Sequence, residues 1–146
     1  SGRIGWDDQG AGRSSFNQAL IQRYQGDGSP EEELREAIYM HLDQRDDFGE
    51  VVAGVNLGDP GHVFFDASKP STRLTLARMR ELDKRGEGVL LDLPPRSVYI
   101  FFGFARYGLC HGVPCPGPGS GSYDRITLTW RSVREHASAS EEVPWP

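Results

Sequence analysis

Cysteine is scarce, with only Cys110 and Cys115 in 146 residues. A secreted domain of this size held by disulfides would carry more, so a reducing, intracellular setting (cytoplasm or nucleus) is expected. Lysine is equally rare: Lys69 and Lys84 stand against fourteen arginines. Arginine suits planar, bidentate binding of carboxylate or phosphate, where lysine acts as a point charge. No apolar run approaches the roughly 20 residues needed to cross a bilayer, so no membrane partner is expected. The start, Ser1-Gly2-Arg3, has neither an initiator Met nor a signal-peptide pattern. It is read as a cloning scar or the edge of an excised domain, with the chain incomplete at its N-terminus. Positive charge is not in excess either. A net charge of −5 gives no general attraction to phosphate backbones, although it leaves local basic patches open.

What remains describes one domain with one core. Residues 1–15 read as an irregular N-terminal segment, 16–131 as the folded domain and 132–146 as a polar, acidic tail. Phe16 to Tyr24 favours a strand. Ser29-Pro30-Glu31-Glu32-Glu33 is a strong helix start, with a capping Ser, a first-turn Pro and acids at the positive end of the dipole. Ala37, Ile38 and His41 extend its spacing, so the helix is expected to end near Met40 or His41. Val51–Leu57 and His62–Phe65 read as strands about the turn Gly58-Asp59-Pro60-Gly61. A helix is expected from about Arg73 to Arg85, with Leu74, Leu76 or Ala77, and Leu82 as its stripe and Gly86 just past its end. Gly88–Leu93 and Ser97–Phe102 read as strands joined through Pro94-Pro95, the run Val98–Phe102 being buried in a sheet. Arg125 to Trp130 alternates, with Ile126, Leu128 and Trp130 on one side and Arg125, Thr127, Thr129 and Arg131 on the other. Many short strands with a few peripheral helices predict a mainly β fold, a β-sandwich or jelly roll.

Within that frame, His41-Leu42-Asp43, His111 and the pair Arg125/Arg131 form one chemical set. On extended backbone, side chains two apart share a face, so His41 and Asp43 can reach one metal ion together. A second His completes two imidazoles and a carboxylate on one side of an octahedron, the facial arrangement of non-haem Fe(II) oxygenases. The three open positions admit a chelating 2-oxo acid, whose far carboxylate needs a fixed cation, and Arg is suited to that task. A helix running through Asp43 would instead turn His41 and Asp43 about 200° apart and break the triad.

His41-x-Asp43, Pro95-Arg96-Ser97-Val98-Tyr99, Ala105-Arg106-Tyr107, His111-Gly112-Val113 and Arg125-x-Thr127-x-Thr129-x-Arg131, in that order, resemble the AlkB family. These are Fe(II)- and 2-oxoglutarate-dependent dioxygenases on a double-stranded β-helix, and the similarity runs from about Phe16 to Arg131. The resemblance implies His41, Asp43 and His111 as iron ligands and Arg125 as the partner of the distal 2-oxoglutarate carboxylate, with Tyr24 assisting. Arg131 would lie near the chelating end, with Thr127 on the same strand face. Gln22 stands where the family often has Asn, in Asn-x-Tyr. The implied reaction consumes O2 and 2-oxoglutarate, yields succinate and CO2, and hydroxylates a C–H bond. On an N-methyl group the product collapses to formaldehyde and the bare amine. The implied partner is methylated DNA or RNA, its base flipped out or single-stranded, and the protein is expected to act as a monomer.

Other readings stand beside this one. His41 and Asp43 can be a polar helix end, and Arg125 and Arg131 a solvated strand face. Cys110, His111 and Cys115 lack the paired spacing of a structural zinc site and read as ordinary thiols beside a histidine. His62 reads as solvent-facing and His136 as part of the tail. Phe101 and Phe102 read as core. Trp6, Arg45, Asp46, Asp47 and Arg106 are candidates for the substrate side. A protein substrate such as methyl-lysine, or a jelly-roll binding module without turnover, are the rival functions.

Overall fold

The computed structural model describes residues 16–26, 37–67, 70, 72–114 and 122–133. Eight strands and two helices follow in the order β1 (Gln18–Gly26), β2 (Ile38–His41), β3 (Phe48–Gly58), β4 (Gly61–Asp66), α1 (Leu76–Lys84), β5 (Val89–Leu93), β6 (Ser97–Phe101), α2 (Phe104–Tyr107), β7 (Cys110–Val113) and β8 (Tyr123–Val133). The strands form two four-stranded antiparallel sheets. One has the order β1-β8-β3-β6 and the other β2-β7-β4-β5. The chain is therefore mainly β, as its strand patterns predict. The expected irregular segment 1–15, the helix start at 29–33 and most of the tail lie outside the described residues.

Two short turns carry the chain from one sheet to the other. Asp59-Pro60 links β3 to β4, and Pro94-Pro95-Arg96 links β5 to β6, with Arg96 at φ 64°. Asn56 ties both turns down from inside. It is fully buried, and its Nδ2 donates to Asp59 O (3.2 Å), Leu93 O (3.0 Å) and Pro94 O (3.2 Å), while Arg96 N donates to Asn56 O (2.7 Å). Turn carbonyls facing the interior would otherwise be left without donors.

The core has two parts. Val52, Val63, Phe65, Leu93 and Phe101 pack between the sheets. Met40, Phe64 and Cys110 pack on the other side of the second sheet, beneath Met79 and Leu82 of α1. Strand β4 thus buries both of its faces, which accounts for the unbroken run Val63-Phe64-Phe65. Thr75 caps α1, its Oγ1 accepting from Arg78 N at 3.2 Å, and Gly86 follows the helix at φ 69°. Met79, not Ala77, shares the buried stripe with Leu82, and Ala77 is exposed.

Several expectations need correcting. Residues 38–41 are a strand, not a helix end. Ile38 and His41 pair with Val113 and His111, and Met40 N donates to Thr72 O at 2.9 Å. A run this short fits both periods, and pairing with β7 decides it. β6 is an edge strand that is buried on one face only. Tyr99 and Phe101 point inward, while Val98 (62 % exposed) and Ile100 (59 %) face out. Phe102, read as core, is 65 % exposed. β8 continues through Ser132 and Val133, two residues into the expected tail. The short helix α2 had no counterpart among the expected elements; it starts from Gly103 O, which accepts from both Arg106 N and Tyr107 N at 3.0 Å.

Candidate metal centre

His41 and His111 are partners across the β2–β7 pair, with ring centroids 4.2 Å apart and planes tilted by 51°. The strands end here, and Asp43 follows two residues later in the connection to β3, 7 % exposed. Its carboxylate turns back toward both imidazoles: Oδ1 lies 3.7 Å from His41 Nε2, and Oδ2 lies 3.9 Å from His111 Nε2. All three residues offer ligand atoms within 4.8 Å of one another. The histidine and the aspartate thus share a side, which the helical alternative forbade.

The set fits a divalent ion. His41 Nδ1 lies 2.9 Å from Tyr39 O, and because a carbonyl only accepts, Nδ1 carries the proton and Nε2 keeps a free lone pair. Burial pushes the His111 pKa down to about 4, reinforced by His41, Arg106 and Arg131 and opposed by Asp43. The ring is therefore neutral near pH 7, the form that ligates metals. Among the described residues, Asp43 Oδ2 is buried without a hydrogen-bond partner, a position that a cation would satisfy. The two carboxylate–imidazole separations exceed by under an ångström the roughly 3.0 Å between adjacent ligands at bonds of about 2.1 Å, and the whole set lies within 4.8 Å.

A cavity, partly open to solvent, extends from this triad between the sheets. His41, Asp43, His111, Arg125, Arg131, Tyr24, Gln22 and Thr127, all expected at the site, line it together. Arg131 lies at the triad end. Its Nη1 is 3.3 Å from Asp43 Oδ1, its Nε donates to Gln18 Oε1 (3.1 Å), and its guanidinium lies 4.1 Å over the Phe48 ring. Arg125 lies six residues back along β8, 1 % exposed, with its guanidinium carbon 5.1 Å from the ring centroid of its strand partner Tyr24. Arg125 Nε donates to Asn56 Oδ1, whereas its Nη2 is buried with no hydrogen-bond partner among the described residues. The solvated-face reading of the two arginines is thereby corrected: the polar side of β8 faces the cavity, and Ile126, Leu128 and Trp130 lie on the other face of the sheet.

Gly61 makes room for Arg125, because a Cβ there would overlap the guanidinium. Tyr24, with its pKa pushed up to about 12 chiefly by burial, stays a neutral phenol beside this cation. Asn56, Gly61, Tyr99 and Thr129 were absent from the expected site residues. A buried-strand pattern interrupted by one polar residue, Asn56 between Val55 and Leu57, was the available signal.

Other candidates fall elsewhere. Arg106, expected on the substrate side, is fully buried and donates to the carbonyls of Asp43 and Gln44. Arg45 donates to Tyr107 O, and Asp46 is exposed in the β2–β3 turn. Cys110 packs beneath α1 with Phe64 and Met40, on the opposite sheet face from His111, so the two do not share a zinc ion. His62, expected in solvent, is half-buried with Nε2 3.2 Å from Asp92 Oδ1, and burial lowers its pKa. Trp6, Cys115 and His136 lie outside the described residues. Among the described residues, no helix is long and apolar enough to cross a membrane.

No protein-family model matches the chain. It is similar to a protein of Acanthamoeba polyphaga mimivirus that bears the name Uncharacterized protein L905, with 26 % identity over 117 residues covering 76 % of this chain. The chain spans about half of that relative, 49 % of its length.

Proposed function

We propose that the protein is an Fe(II)- and 2-oxoglutarate-dependent dioxygenase of AlkB type, built on a double-stranded β-helix, that oxidises the N-methyl group of an alkylated nucleic-acid base. The observation that carries this reading is a single cavity with two imidazoles and a carboxylate at one end and, at the other, a buried arginine whose Nη2 has no hydrogen-bond partner among the described residues. The two facing sheets, with chain crossings at Asp59-Pro60 and Pro94–Arg96, support the β-helix.

His41, Asp43 and His111 would hold the iron. When bound, ferrous iron with a 2-oxo acid and O2 supplies the oxidising power to hydroxylate a C–H bond, the acid leaving as succinate and CO2. Arg125 binds the distal carboxylate, since its Nη2, without a hydrogen-bond partner among the described residues, offers a charge-assisted bond from a buried position. An uncompensated buried guanidinium is costly, so an anionic ligand there relieves it. The Tyr24 hydroxyl, Gln22 and Thr127 line the path between the ends. Arg131 balances the Asp43 charge and holds that carboxylate in place. Phe65 and Phe101, with ring centroids 5.7 and 4.9 Å from His111, keep that side of the site dry.

The net charge of −5 favours a second reading, a methyl-lysine protein substrate on the same site. A panel of N-methylated single-stranded oligonucleotides and methyl-lysine peptides, incubated with the protein, Fe(II) and 2-oxoglutarate, separates the two by formaldehyde release. Release from oligonucleotides supports the proposal. Release from peptides alone moves it to the second reading, and release from neither contradicts both.

A further inference from the structure

The Asp43 ligand sits on irregular backbone, two residues beyond β2, where no ladder of strand hydrogen bonds fixes it. A carboxylate placed there would wander by more than metal coordination tolerates unless something else held the segment. Two arginines do so in opposite directions. Arg106, on α2, is completely buried, and its planar fork reaches across to the segment: Nη1 donates to Asp43 O at 3.1 Å and Nη2 to Gln44 O at 2.9 Å. Arg45, next in the segment, donates back to Tyr107 O at the end of α2. Four residues after Tyr107 the chain reaches His111.

We propose that Arg106, clasped with Arg45, is a positioning residue for the metal centre: it locks the Asp43 segment to the helix that leads into His111 and so sets the distance between these two ligands. The inference rests on the metal-centre reading above and concerns how that centre is assembled.

The geometry argues for this role over plain stability. A buried side chain with no other duty is better filled by an apolar residue, because burying a cation without a carboxylate partner is costly. Arg106 has no ion pair with a carboxylate at salt-bridge distance among the described residues, and its Nε is buried without a partner. Both of its hydrogen bonds go to the successive backbone carbonyls of Asp43 and Gln44. A planar fork holds two successive carbonyls in a fixed geometry, whereas lysine's rotatable ammonium on a flexible stem does not fix their positions. Because α2 has only four residues, it has little rigidity of its own, and the Arg45 contact at its C-terminal end restrains it in return.

The test uses Mn(II) as the probe, with no turnover required. Mn(II) affinity is measured by electron paramagnetic resonance for the wild-type chain, Arg106→Lys and Arg45→Gln, with folding checked by circular dichroism and metal-free melting in chelator. Co(II) absorption then reports the geometry of the ligand set. Arg106→Lys is expected to bind Mn(II) about 10- to 100-fold more weakly, as for loss of an outer partner of a metal ligand, and to shift the Co(II) spectrum. Arg45→Gln, altered at an exposed position, should weaken binding by a smaller factor in the same direction. Wild-type affinity and an unchanged Co(II) spectrum in folded Arg106→Lys overturn the inference alone. If Arg106→Lys does not fold, Arg45→Gln decides, and wild-type affinity there overturns it. A wild-type chain that binds neither ion overturns the metal-centre reading and this inference with it.

Discussion

His41 and His111 stand opposite one another on neighbouring antiparallel strands, ring centroids 4.2 Å apart, with Asp43 Oδ1 and Oδ2 at 3.7 and 3.9 Å from their Nε2 atoms. Two positions seventy residues apart in the chain thus meet through one register pair. Anything that binds the folded form alone stabilises it in proportion to occupancy, by about 2.7 kcal/mol at a hundredfold excess over Kd. Mn(II) should therefore raise the melting temperature of the wild-type chain. His111→Ala and Asp43→Asn should show no such rise, which differential scanning calorimetry with and without chelator would detect.

Gly61 and Arg125 provide a test at the far end of the cavity. A methyl group on residue 61 meets the guanidinium head-on. Gly61→Ala should displace Arg125 and weaken 2-oxoglutarate binding about 10- to 100-fold, the worth of a charge-assisted hydrogen bond of about 1.5–3 kcal/mol. Mn(II) affinity should be unchanged, since the triad lies at the other end. Calorimetric titration with each ligand measures both. Equal losses for the two would point to general unfolding instead.

Asn56 joins structure to site, bracing both crossover turns through Nδ2 and orienting Arg125 through Oδ1. Asn56→Ala removes these bonds in a fully buried setting and should cost about 3 kcal/mol in chemical denaturation. Asn56→Asp would keep the acceptor toward Arg125 and lose the donors to the turns. Its carboxylate would neutralise the Arg125 guanidinium, so it should bind 2-oxoglutarate more weakly than Asn56→Ala in calorimetric titration.

The Tyr24 phenol is pushed up to about 12, first by burial, against the opposing pulls of its Thr127 hydrogen bond and the Arg125 cation. The fold favours its neutral form, so its contribution to stability is complete below the unfolded value of about 10 and is lost as pH rises through about 12. In an alkaline titration followed by tyrosinate absorbance, Tyr24→Phe should remove a phenol that ionises late. Removal of one that ionises near 10 would contradict the buried placement.

How much of this was legible follows from the range of each interaction. The spacing His41-x-Asp43 and the alternation Arg125/Thr127/Thr129/Arg131 pointed to residues that now line one cavity, because two-residue periodicity is a local property of extended chain. The local reading of residues 38–41 failed for the same run, since Ile38 and His41 suit a helix face until β7 pairs with them. Arg106 was placed on the substrate side because its partners are the carbonyls of Asp43 and Gln44, some sixty residues earlier, and nothing adjacent announces them. Val98 and Ile100 looked like core because an apolar strand does not say which of its faces meets the other sheet. Cys110 and His111 were adjacent in the reading and are separated in space by the pleat that sends neighbours to opposite sides.

The most direct measurement is anaerobic visible absorption after Fe(II) and 2-oxoglutarate are added to the folded chain. The account predicts a metal-to-ligand charge-transfer band, absent in His111→Ala and weakened in Arg125→Ala. A folded wild-type chain that develops no band with both additions, or a band that survives loss of His111, would contradict it.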